Sequence, residues 1–507
     1  MISKQQDAGR LLADLLRGFE TGEAVPEIAI LDIASNSRAV REGSLFIAVS
    51  GINSHGIDFA IDAVKSGAVA ILYDAEDEYC RRRIPLLGKQ VQALWVGVKG
   101  LDRVNGEIVS RFYGEPGKFL KIIGVTGTDG KTSVTHLITQ ALCRLGKSTA
   151  SIGTLGYGMA NQLKPTTHTT PDTVTLQTYL HEFHQQGCEY VVMEVSSHAL
   201  EQYRVSGCDF DIAVLTNLGR DHLDYHQDMA HYAAAKARLF REFELSARVL
   251  NADDDLGRSL ARELEHEAVI RYSGSASAAA TGAEVYLLHC EVTDRGLDMR
   301  VATPIGEIRA PTALMGRFNI DNTLACISSL IALGLGHAQV QWAVNGLQPI
   351  PGRMEKFKGS AKTATAVIDF AHTEQALRAC LSASREHTHG QLWCIFGCGG
   401  DRDAGKRKAM GRAAEELADR IIITDDNPRT ESAENIVTEI LAGLREPAKA
   451  CVVHNRQAAI EFALTEAGSD DLVVIAGKGH ELEQIVGNQR YPFSDRHVVQ
   501  RFMQAAT

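Results

Sequence analysis

A glycine-rich segment carries the clearest chemistry in this sequence. It reads Gly124-Val-Thr-Gly-Thr-Asp-Gly-Lys-Thr-Ser133 and lies between an apolar run and a stretch with helical spacing. In that context backbone N–H groups and the helix N-terminus attract phosphate. Lys131 could reach the β- and γ-phosphates, and Thr132 could hold Mg²⁺. We therefore predict an ATP site, although Val125 replaces a glycine of the strict general motif; the alternative is a structural glycine turn. The predicted nucleotide contacts are Gly127, Thr128, Asp129, Gly130, Lys131, Thr132 and Ser133.

Acidic and histidine side chains elsewhere could bind the metal ion that a triphosphate requires. Glu194 ends an apolar run in the same predicted sheet, where a carboxylate can bind Mg²⁺; the alternative is a solvated acid at a strand end. Asp221, His222, Asp224 and His226 form a cluster that suggests zinc or, in an ATP enzyme, a second magnesium ion. Nucleotide binding alone leaves motor, kinase, GTPase and ligase open, but the sequence has no Asn-Lys-x-Asp segment to select guanine.

Composition excludes several classes of protein. The chain has 507 residues, enough for about three domains, and its 45% hydrophobic and 23% charged residues are ordinary for a globular protein. No apolar run approaches the roughly 18 to 20 residues of a membrane span, and the N-terminus has no export signal, so we expect a soluble, cytoplasmic protein without membrane insertion. The net charge of -11 argues against nucleic-acid binding. The one basic run, Arg81 to Arg83, is predicted to be a solvated loop.

The ten cysteines are scattered singly through the chain. Only Cys394 and Cys398 are close in sequence, and their spacing fits neither a zinc pair nor a redox pair. We expect all ten to be reduced thiols in the core.

Short apolar runs alternate with helical segments along most of the chain. Strands are predicted at residues 122–125, 190–195, 212–215, 392–396 and 472–476, and helices at 406–418 and 433–444. This alternation predicts an α/β fold with mostly parallel sheets. Pro349, Pro351 and Gly352 interrupt the pattern. We predict three domains: residues 1–118, a central ATP-binding domain at 119–348 and a third α/β domain at 349–507.

Several segments together resemble the Mur ligases, the enzymes that add amino acids to the UDP-linked peptidoglycan precursor. The segments are residues 127–133, 168–171, 193–198, 216–226, 236, 316–322, 351–353, 369–372, 397–402, 426–429 and 477–481. Each alone is weak, but their occurrence in this order is specific and spans nearly the whole chain. The resemblance implies an N-terminal UDP-binding domain, a central P-loop parallel-sheet ATPase domain and a C-terminal Rossmann-like α/β domain.

The resemblance also implies how ATP and magnesium are bound. The implied metal ligands are Thr132, Glu194, His222 and Lys236, and the implied nucleotide contacts are Asn217, Asn319, Asn322, Arg353 and Asp369. Helix propensity alone would make Lys236 an exposed lysine, whereas the matching lysine of Mur ligases is carbamylated by CO2. A carbamylated Lys236 would offer an anionic oxygen to the metal. Arg353 lies at the implied domain hinge and would reach the γ-phosphate on closure. Phe370 and Glu374 replace the family's usual Tyr and Pro.

The implied substrates are a UDP-N-acetylmuramoyl dipeptide and an amino acid. Residues 426–429 match the tetrad of enzymes that add meso-2,6-diaminopimelate; the alternative is L-lysine. Lysine lacks the second carboxylate and would leave Arg429 unpaired. The implied amino-acid contacts are Arg402, Asp426, Asn427, Pro428, Arg429, Gly477 and Glu481. Those to the UDP-linked dipeptide are Ser37, Thr169, Thr170, Ser196, Gln202 and Arg204, with residues 52–54 as a weaker one.

The implied reaction is an ATP-dependent ligation. The side-chain carboxylate of D-glutamate would take the γ-phosphoryl group, and the amine of the incoming amino acid would then displace phosphate. Lys131, Lys236, His222 and Arg353 are the implied catalytic residues. Other possibilities are a folate polyglutamate ligase, which would not share the tetrad at 426–429, and a noncatalytic nucleotide-binding scaffold. We expect a monomer.

Overall fold

The computed structural model describes residues 9–505 except 23, 52–53, 161, 167, 276–281, 294 and 359–362. Of the predicted weaker contact at residues 52–54, residues 52 and 53 therefore lie outside the described residues, and Ser54 is exposed. The chain forms two compact units. One contains Met1–Ser273, Ala279–Val285 and Ala325–Gln339, and the other contains Gly274–Ala278, Tyr286–Leu324 and Val340–Thr507. The predicted domain boundaries at residues 118 and 348 remain predictions.

The first unit begins with a small parallel sheet. The elements of this region are β1 (Arg10–Leu11), α1 (Leu12–Leu15), β2 (Ala29–Ile30), β3 (Asp32–Ala34), β4 (Ser44–Ala48), α2 (Ala60–Lys65), β5 (Ala68–Asp74), α3 (Glu78–Leu87), β6 (Leu94–Val98) and α4 (Leu101–Phe112). Strands β1 and β2 form a separate antiparallel pair. Strands β3 to β6 pair in that order, all parallel. The predicted loop at Arg81 to Arg83 is wrong, because these residues lie in α3. The prediction failed because a solvated helix and a solvated loop have similar charged compositions. Asp77 caps the start of α3, since its Oδ1 accepts from the Tyr79 N–H at 2.8 Å.

The same unit contains a larger sheet that positions the phosphate loop. Its elements are β7 (Lys121–Thr126), α5 (Lys131–Arg144), β8 (Thr149–Gly153), β9 (Gly156–Met159), α6 (Thr173–Gln185), β10 (Tyr190–Glu194), α7 (Ser197–Glu201), β11 (Phe210–Leu215), α8 (Leu223–His226), α9 (Met229–Arg241), β12 (Ala247–Asn251), α10 (Asp255–Glu263) and β13 (Val269–Ser273). The strand order is β13-β12-β11-β7-β10-β8-β9. All neighbours are parallel except β8 and β9. Strands β7, β10 and β11 are almost entirely apolar because helices cover both faces, as expected for buried parallel strands.

An antiparallel meander and two helices follow. They are β14 (Val285–Thr293), β15 (Gly296–Ala302), β16 (Ile308–Thr312), α11 (Phe318–Ala332) and α12 (His337–Val344). Strand β15 pairs antiparallel with both β14 and β16. This meander was not predicted, because β14 has several exposed or half-buried residues and lacks the continuous apolar run of the central strands.

The second unit holds a six-stranded sheet. The elements of this region are β17 (Glu355–Phe357), β18 (Thr365–Asp369), α13 (Glu374–Arg385), β19 (Leu392–Phe396), α14 (Gly405–Leu417), β20 (Arg420–Ile423), α15 (Ala433–Leu441), β21 (Ala450–Val452), α16 (Arg456–Glu466), β22 (Leu472–Ala476), β23 (Glu483–Val486), β24 (Gln489–Pro492) and α17 (Asp495–Ala505). Strands β23 and β24 form a separate antiparallel hairpin. The strand order is β17-β18-β22-β19-β20-β21, parallel except for β17 and β18. Apolar residues fill both faces of this sheet. The predicted break at residues 349–352 contains neither helix nor strand.

Two further expectations concern the surface and the core. Within the described part of the chain, no helix combines the length and hydropathy that crossing a membrane requires. All ten cysteines are free, and seven are buried as predicted. Cys143 and Cys290 are half-buried, and the core prediction is wrong for Cys451, which is exposed near the sheet edge on β21.

Candidate active site

The glycine loop turns sharply between β7 and α5. Gly127 and Gly130 have positive φ angles of 148° and 81°. A Cβ at Gly127 would stand 1.8 Å from the Thr216 hydroxyl oxygen, so no larger residue fits without displacing β11. The Lys131 ammonium donates to the carbonyls of Gly127 and Thr128 at 2.9 and 2.8 Å. The loop therefore has the backbone shape of a phosphate cradle, with its lysine folded across it.

The end of β11 holds this loop in place. Asn217 Oδ1 accepts from the Asp129 N–H at 2.9 Å, and the Asn217 carbonyl accepts from the Thr128 N–H at the same distance. The Thr216 hydroxyl donates to the Asp129 carbonyl at 2.6 Å. The predicted nucleotide contact Asn217 thus lies against residues 128 and 129. Its position far from them in the sequence did not indicate this contact.

Glu194 lies at the end of β10 beside the first turn of α5. Its carboxylate is 1% exposed and accepts from the Thr132 hydroxyl at 2.9 Å and from the Thr154 N–H at 2.7 Å. Burial raises the pKa of the Glu194 carboxyl, and the Lys131 charge and the hydrogen bonds from Thr154 and Thr132 oppose that rise. A buried carboxylate beside a hydroxyl offers the hard oxygen ligands that Mg²⁺ prefers. These two residues fit a magnesium ion held at the phosphate loop.

Lys236 is buried, and its predicted alternative as an exposed helix lysine is wrong. The side chain is 1% exposed, and Nζ donates to the Gly127 carbonyl at 2.7 Å. Nζ also lies 4.4 Å from the centroid of the Tyr232 ring. Burial, reinforced by the charge of Lys131, lowers the pKa of Lys236 from its usual 10.5 to about 6. At neutral pH this amine is therefore mostly uncharged, and it lies against the phosphate loop.

Of the predicted cluster, the side chains of Asp221, His222 and His226 are described, and that of Asp224 lies outside the described side chains. His222 is half-exposed with φ 52°, and its Nε2 lies 3.3 Å from an Asp221 carboxylate oxygen. Its ring is 6.2 Å from that of Tyr232. His226 is buried and pairs with the Ser197 hydroxyl at 2.9 Å. Among the side chains that the structure describes, neither histidine joins a group of three possible metal ligands.

The predicted contacts to the muramoyl dipeptide lie beside Glu194. The Thr170 hydroxyl donates to the Glu194 carbonyl at 2.9 Å and accepts from the Ser196 N–H at 3.0 Å. The Arg204 guanidinium donates through Nε to Gln202 Oε1 at 2.9 Å and through Nη1 to the Thr170 carbonyl at 3.3 Å. The structure therefore brings Thr170, Ser196, Gln202 and Arg204 into one bonded group. The Thr169 hydroxyl lies 3.1 Å from that of Thr154, which contacts the predicted metal ligand Glu194.

The predicted UDP contact Ser37 begins a short 3-10 turn, Ser37–Ala39, after β3. Asn36 caps this turn, because its Oδ1 accepts from the Arg38 N–H at 3.0 Å. Ser37 is half-buried and Arg38 is exposed. The cap fixes the start of the turn that carries Ser37.

In the second unit, the predicted adenine and ribose contacts occupy two places. Asn319 and Asn322 are buried at the start of α11, where Asn322 Nδ2 donates to Asn319 Oδ1 at 2.8 Å. Asp369 ends β18 and accepts from the N–H groups of Met354 and Ala371, both at 2.8 Å. Burial raises the pKa of Asp369, and the hydrogen bond from Met354 and the charge of Arg353 oppose the rise.

Arg353 lies in the break before β17. Its guanidinium carbon is 4.8 Å from the centroid of the Phe370 ring, and its Nε is buried without a hydrogen-bond partner. The family's usual Tyr at position 370 is therefore replaced by a ring that still stacks on the cation. An arginine stacked in this way keeps donors for an anionic ligand.

The predicted arginines of the amino-acid site flank one glycine. Arg429 has φ 52°, and its Nη1 donates to the Gly400 carbonyl at 2.8 Å. A Cβ at Gly399 would lie 2.9 Å from Arg429 Nη1 and 3.8 Å from Arg402 Cγ. Arg402 is exposed. The structure thus places the Arg429 guanidinium and the Cγ of Arg402 at one loop, where glycine at 399 leaves room for both side chains.

The rest of the tetrad faces a lysine that the sequence analysis missed. Lys478 is 0% exposed, and its Nζ donates to Glu481 Oε2 at 2.7 Å and to Asn427 Oδ1 at 3.1 Å. Nζ also lies 4.0 Å from an Asp426 oxygen. A Cβ at Gly477 would approach Asp426 Oδ2 to 2.7 Å. Lys478 lies in the sequence between two predicted contacts, Gly477 and Glu481. That position is the feature from which the sequence could have indicated a role for Lys478.

A second polar cluster, in the N-terminal sheet, also escaped the sequence analysis. His55 Nε2 lies 2.8 Å from Asp77 Oδ2 and 3.8 Å from the Cys80 sulfur. His55 Nδ1 accepts from the Ile57 N–H at 3.1 Å, so Nε2 carries the proton and donates it to Asp77. Burial raises the pKa of Cys80 to about 12. A metal-binding histidine usually donates a hydrogen bond from its second ring nitrogen, whereas Nδ1 of His55 accepts one. The three side chains therefore satisfy one another without a metal ion.

Three protein-family models match the chain. They are the Mur ligase family catalytic domain at residues 30–113, the Mur ligase middle domain at 125–330 and the Mur ligase glutamate ligase domain at 352–479.

Two curated relatives are similar over nearly their whole length. Both are named UDP-N-acetylmuramoyl-L-alanyl-D-glutamate--2,6-diaminopimelate ligase. The one from Pseudomonas aeruginosa is 43% identical over 485 residues, which are 95% of this chain and 97% of the relative. The one from Xanthomonas campestris pv. campestris is 42% identical over 490 residues, with the same coverage.

Solved structures show the same relationship. A structure of a 2,6-diaminopimelate ligase of that name superposes with a TM-score of 0.75 and 32% identity, covering 98% of this chain and 99% of the other. A D-alanyl-D-alanyl ligase from Acinetobacter baumannii has a TM-score of 0.59 at 17% identity, which shows a shared fold alone.

Proposed function

Since the chain belongs to the Mur ligase family, we propose that it adds meso-2,6-diaminopimelate to UDP-N-acetylmuramoyl-L-alanyl-D-glutamate in peptidoglycan synthesis, with ATP as energy source. The observation that carries this proposal is the 43% identity to a 2,6-diaminopimelate ligase over 95% of the chain. The predicted family, three-domain architecture and diaminopimelate ligase activity are confirmed by the comparisons, and the lysine alternative is not.

Enzymes of this family use ATP and Mg²⁺. We assign the phosphates to residues 127–133 and the metal to Thr132, Glu194, His222 and Lys236. Support comes from the buried pair of Glu194 and Thr132, whose oxygens are 2.9 Å apart at the loop. Bound magnesium would neutralise charge on the β- and γ-phosphates. Lys131, whose ammonium now rests on loop carbonyls, would exchange those contacts for phosphate oxygens.

The proposed carbamate on Lys236 follows from its environment. Its lowered pKa leaves the free amine that attacks CO2. A bond forms between Nζ and the CO2 carbon, and one proton is released to solvent. The product is an anion with two oxygen ligands, which can serve a hard metal ion where an ammonium would repel it.

Carbon-13 NMR of enzyme equilibrated with labelled bicarbonate tests this modification. We expect one carbamate resonance, absent from Lys236→Arg and retained in Lys449→Arg, a change at an exposed lysine. Full activity in protein whose Lys236 remains an unmodified amine would overturn the assignment.

The proposed reaction has two steps. An oxygen of the D-glutamate side-chain carboxylate attacks the γ-phosphorus, and ADP leaves. The amine of diaminopimelate then attacks the acyl carbon, phosphate leaves and a proton is lost. Lys131 and Arg353 would stabilise charge on the transferring group. Thr169, Thr170, Ser196, Gln202 and Arg204 would hold the dipeptide, Ser37 the UDP, and Asn217, Asn319, Asn322 and Asp369 the nucleotide.

In the second unit, Arg402 and Arg429 would bind the distal carboxylate of diaminopimelate, since a planar guanidinium pairs well with a carboxylate. Asp426 and Glu481, with the loops at Asn427, Pro428 and Gly477, would hold its ammonium end. A lysine substrate would leave Arg429 without that carboxylate, at a cost of about 10³- to 10⁴-fold in kcat/KM.

Phosphate release with ATP and UDP-N-acetylmuramoyl-L-alanyl-D-glutamate is the decisive assay. We expect release to depend on diaminopimelate, to be far slower with lysine, and to carry ¹⁸O from labelled substrate carboxylate into phosphate. Absence of that label would contradict the acyl-phosphate route. Equal rates with lysine would contradict the specificity.

We further propose that the protein is a cytoplasmic monomer. We also propose that it does not bind nucleic acid, in keeping with the net charge of -11.

A further inference from the structure

Lys478 is a buried cation for which the proposed reaction has so far given no role. It follows β22, between two positive-φ glycines, Gly477 and Gly479. Its side chain is fully enclosed, and the groups it contacts are the amide of Asn427 and the carboxylate of Glu481. Both residues belong to the proposed amino-acid site. A lysine side chain is rarely fully buried unless it pairs with an acidic or polar group. The partners of Lys478 therefore indicate its function.

The lysine fixes which way the Asn427 amide points. Asn427 Oδ1 accepts from Lys478 Nζ at 3.1 Å and from the Ile485 N–H at 2.9 Å, while Nδ2 donates to Glu481 Oε2 at 3.0 Å. A flipped amide would turn its NH2 group toward two donors and its oxygen toward a carboxylate. Lys478 and Ile485 therefore lock Asn427 in the orientation that holds Glu481.

Lys478 also compensates acidic charge. Asp426 and Glu481 bring two carboxylates to this place, and Lys478 Nζ lies 2.7 Å from one and 4.0 Å from the other. Another buried cation nearby, Arg456, is bound at 2.7 and 2.8 Å by both oxygens of Asp495, and its charge also acts on Asp426. Lys478 donates directly to Glu481 and so holds that carboxylate in place.

From this geometry we propose that Lys478 is a positioning residue for the incoming diamino acid, and that it acts by orienting Asn427 and Glu481. This inference rests on the proposed function. Lys478 takes no part in phosphoryl transfer, so its loss should affect binding of the amino acid and leave the ATP step intact.

The test is steady-state kinetics of Lys478→Met, which keeps the side-chain length without the charge. We expect KM for diaminopimelate to rise about 50-fold, with kcat and the KM values for ATP and the UDP-dipeptide within about threefold of the wild type. Lys478→Arg, which keeps the charge, should raise KM only about fivefold. Lys449→Met, at an exposed lysine paired with Glu446, is the matched control and should behave as wild type.

Several results would overturn the role of Lys478. An unchanged KM for diaminopimelate would do so, and so would equal losses for all three substrates, which would indicate general structural damage. If Lys478→Met does not fold, Lys478→Gln is measured against the same criteria, because its amide keeps a donor for Asn427. A wild-type enzyme that releases no phosphate in response to diaminopimelate would instead overturn the proposed function, so the two failures are distinguishable.

Discussion

Two lysines in this chain are almost completely shut off from water, yet their surroundings are opposite. Lys236, at the phosphate loop, bonds to a backbone carbonyl and lies near a second cation, Lys131. Lys478, in the second unit, bonds to a carboxylate and lies near another. Burial is the same in the two regions, and the partners differ.

The difference shows that enclosure alone does not decide the charge of a lysine. Without an anionic partner, burial penalises the ammonium form, and the pKa of Lys236 falls to about 6. With Glu481 at 2.7 Å, the ammonium of Lys478 gains a charge-assisted hydrogen bond that offsets desolvation. The first region is suited to modifying an uncharged amine, and the second to using a fixed cation for orientation.

The largest expected effect comes from removing the amine at the phosphate loop. Lys236→Ala should lower kcat by about 10³-fold, because the variant cannot form the proposed carbamate and the metal site would lose that anionic ligand. Added acetate or formate should restore part of the activity by occupying the vacated space, measured as phosphate release. The same acids should not rescue Lys478→Ala, where a cation is missing. Rescue of both variants, or of neither, would break the comparison.

Arg429→Ala tests the second region from its other end. Loss of the guanidinium should raise KM for diaminopimelate by about 100-fold with little change in kcat, because the distal carboxylate would lose its proposed bidentate partner. Arg429→Lys should recover only part of this loss, since lysine lacks the planar fork. An unchanged KM would show that Arg429 does not touch the amino acid.

Stability should change in opposite directions at the two lysines. Because the pKa of Lys236 drops from 10.5 to about 6 on folding, the unfolded chain binds an extra proton between these pH values, so stability rises with pH across that window. Lys236→Met removes a penalty that is full at and below about pH 6, decreases as the pH rises and vanishes above pH 10.5. In CO2-free buffer we expect a gain of about 2–4 kcal/mol in the free energy of unfolding at pH 6.5.

Lys478→Met should instead destabilise the protein by about 1–3 kcal/mol, because it leaves Glu481 and Asp426 without their shared cation. Denaturant unfolding of both variants at pH 6.5 and pH 9 measures the contrast. Equal signs at the two sites would contradict the assignment of one charged and one uncharged lysine.

The smallest expected effect sharpens the description of Lys236. Tyr232→Phe keeps the ring beneath Nζ but removes the hydroxyl that lies 3.2 Å from Thr128 Oγ1. We expect kcat/KM for ATP to fall about threefold, since one neutral hydrogen bond to the loop is lost. Tyr232→Leu, which also removes the ring, should cost more. Equal losses in both variants would show that the ring has no part.

Local sequence predicted the strands and loops well where the signal is short-range. Runs at 392–396 and 472–476 coincide with β19 and β22, and the glycine loop begins α5 at Lys131 as expected. The meander of β14 to β16 was missed because its strands are only partly buried. Arg81 to Arg83 were misplaced because charge alone does not distinguish a helix from a loop.

The sequence by itself determined the chemistry that contiguous residues can express: the phosphate cradle, the tetrad at residues 426–429 and the order of family motifs. Only the tertiary structure decided the state of Lys236 and the existence of Lys478 as a paired cation. The reason is that the charge of a lysine depends on its burial and on partners from distant parts of the chain. Gly127 lies 109 residues from Lys236, and Asn427 lies 51 residues from Lys478.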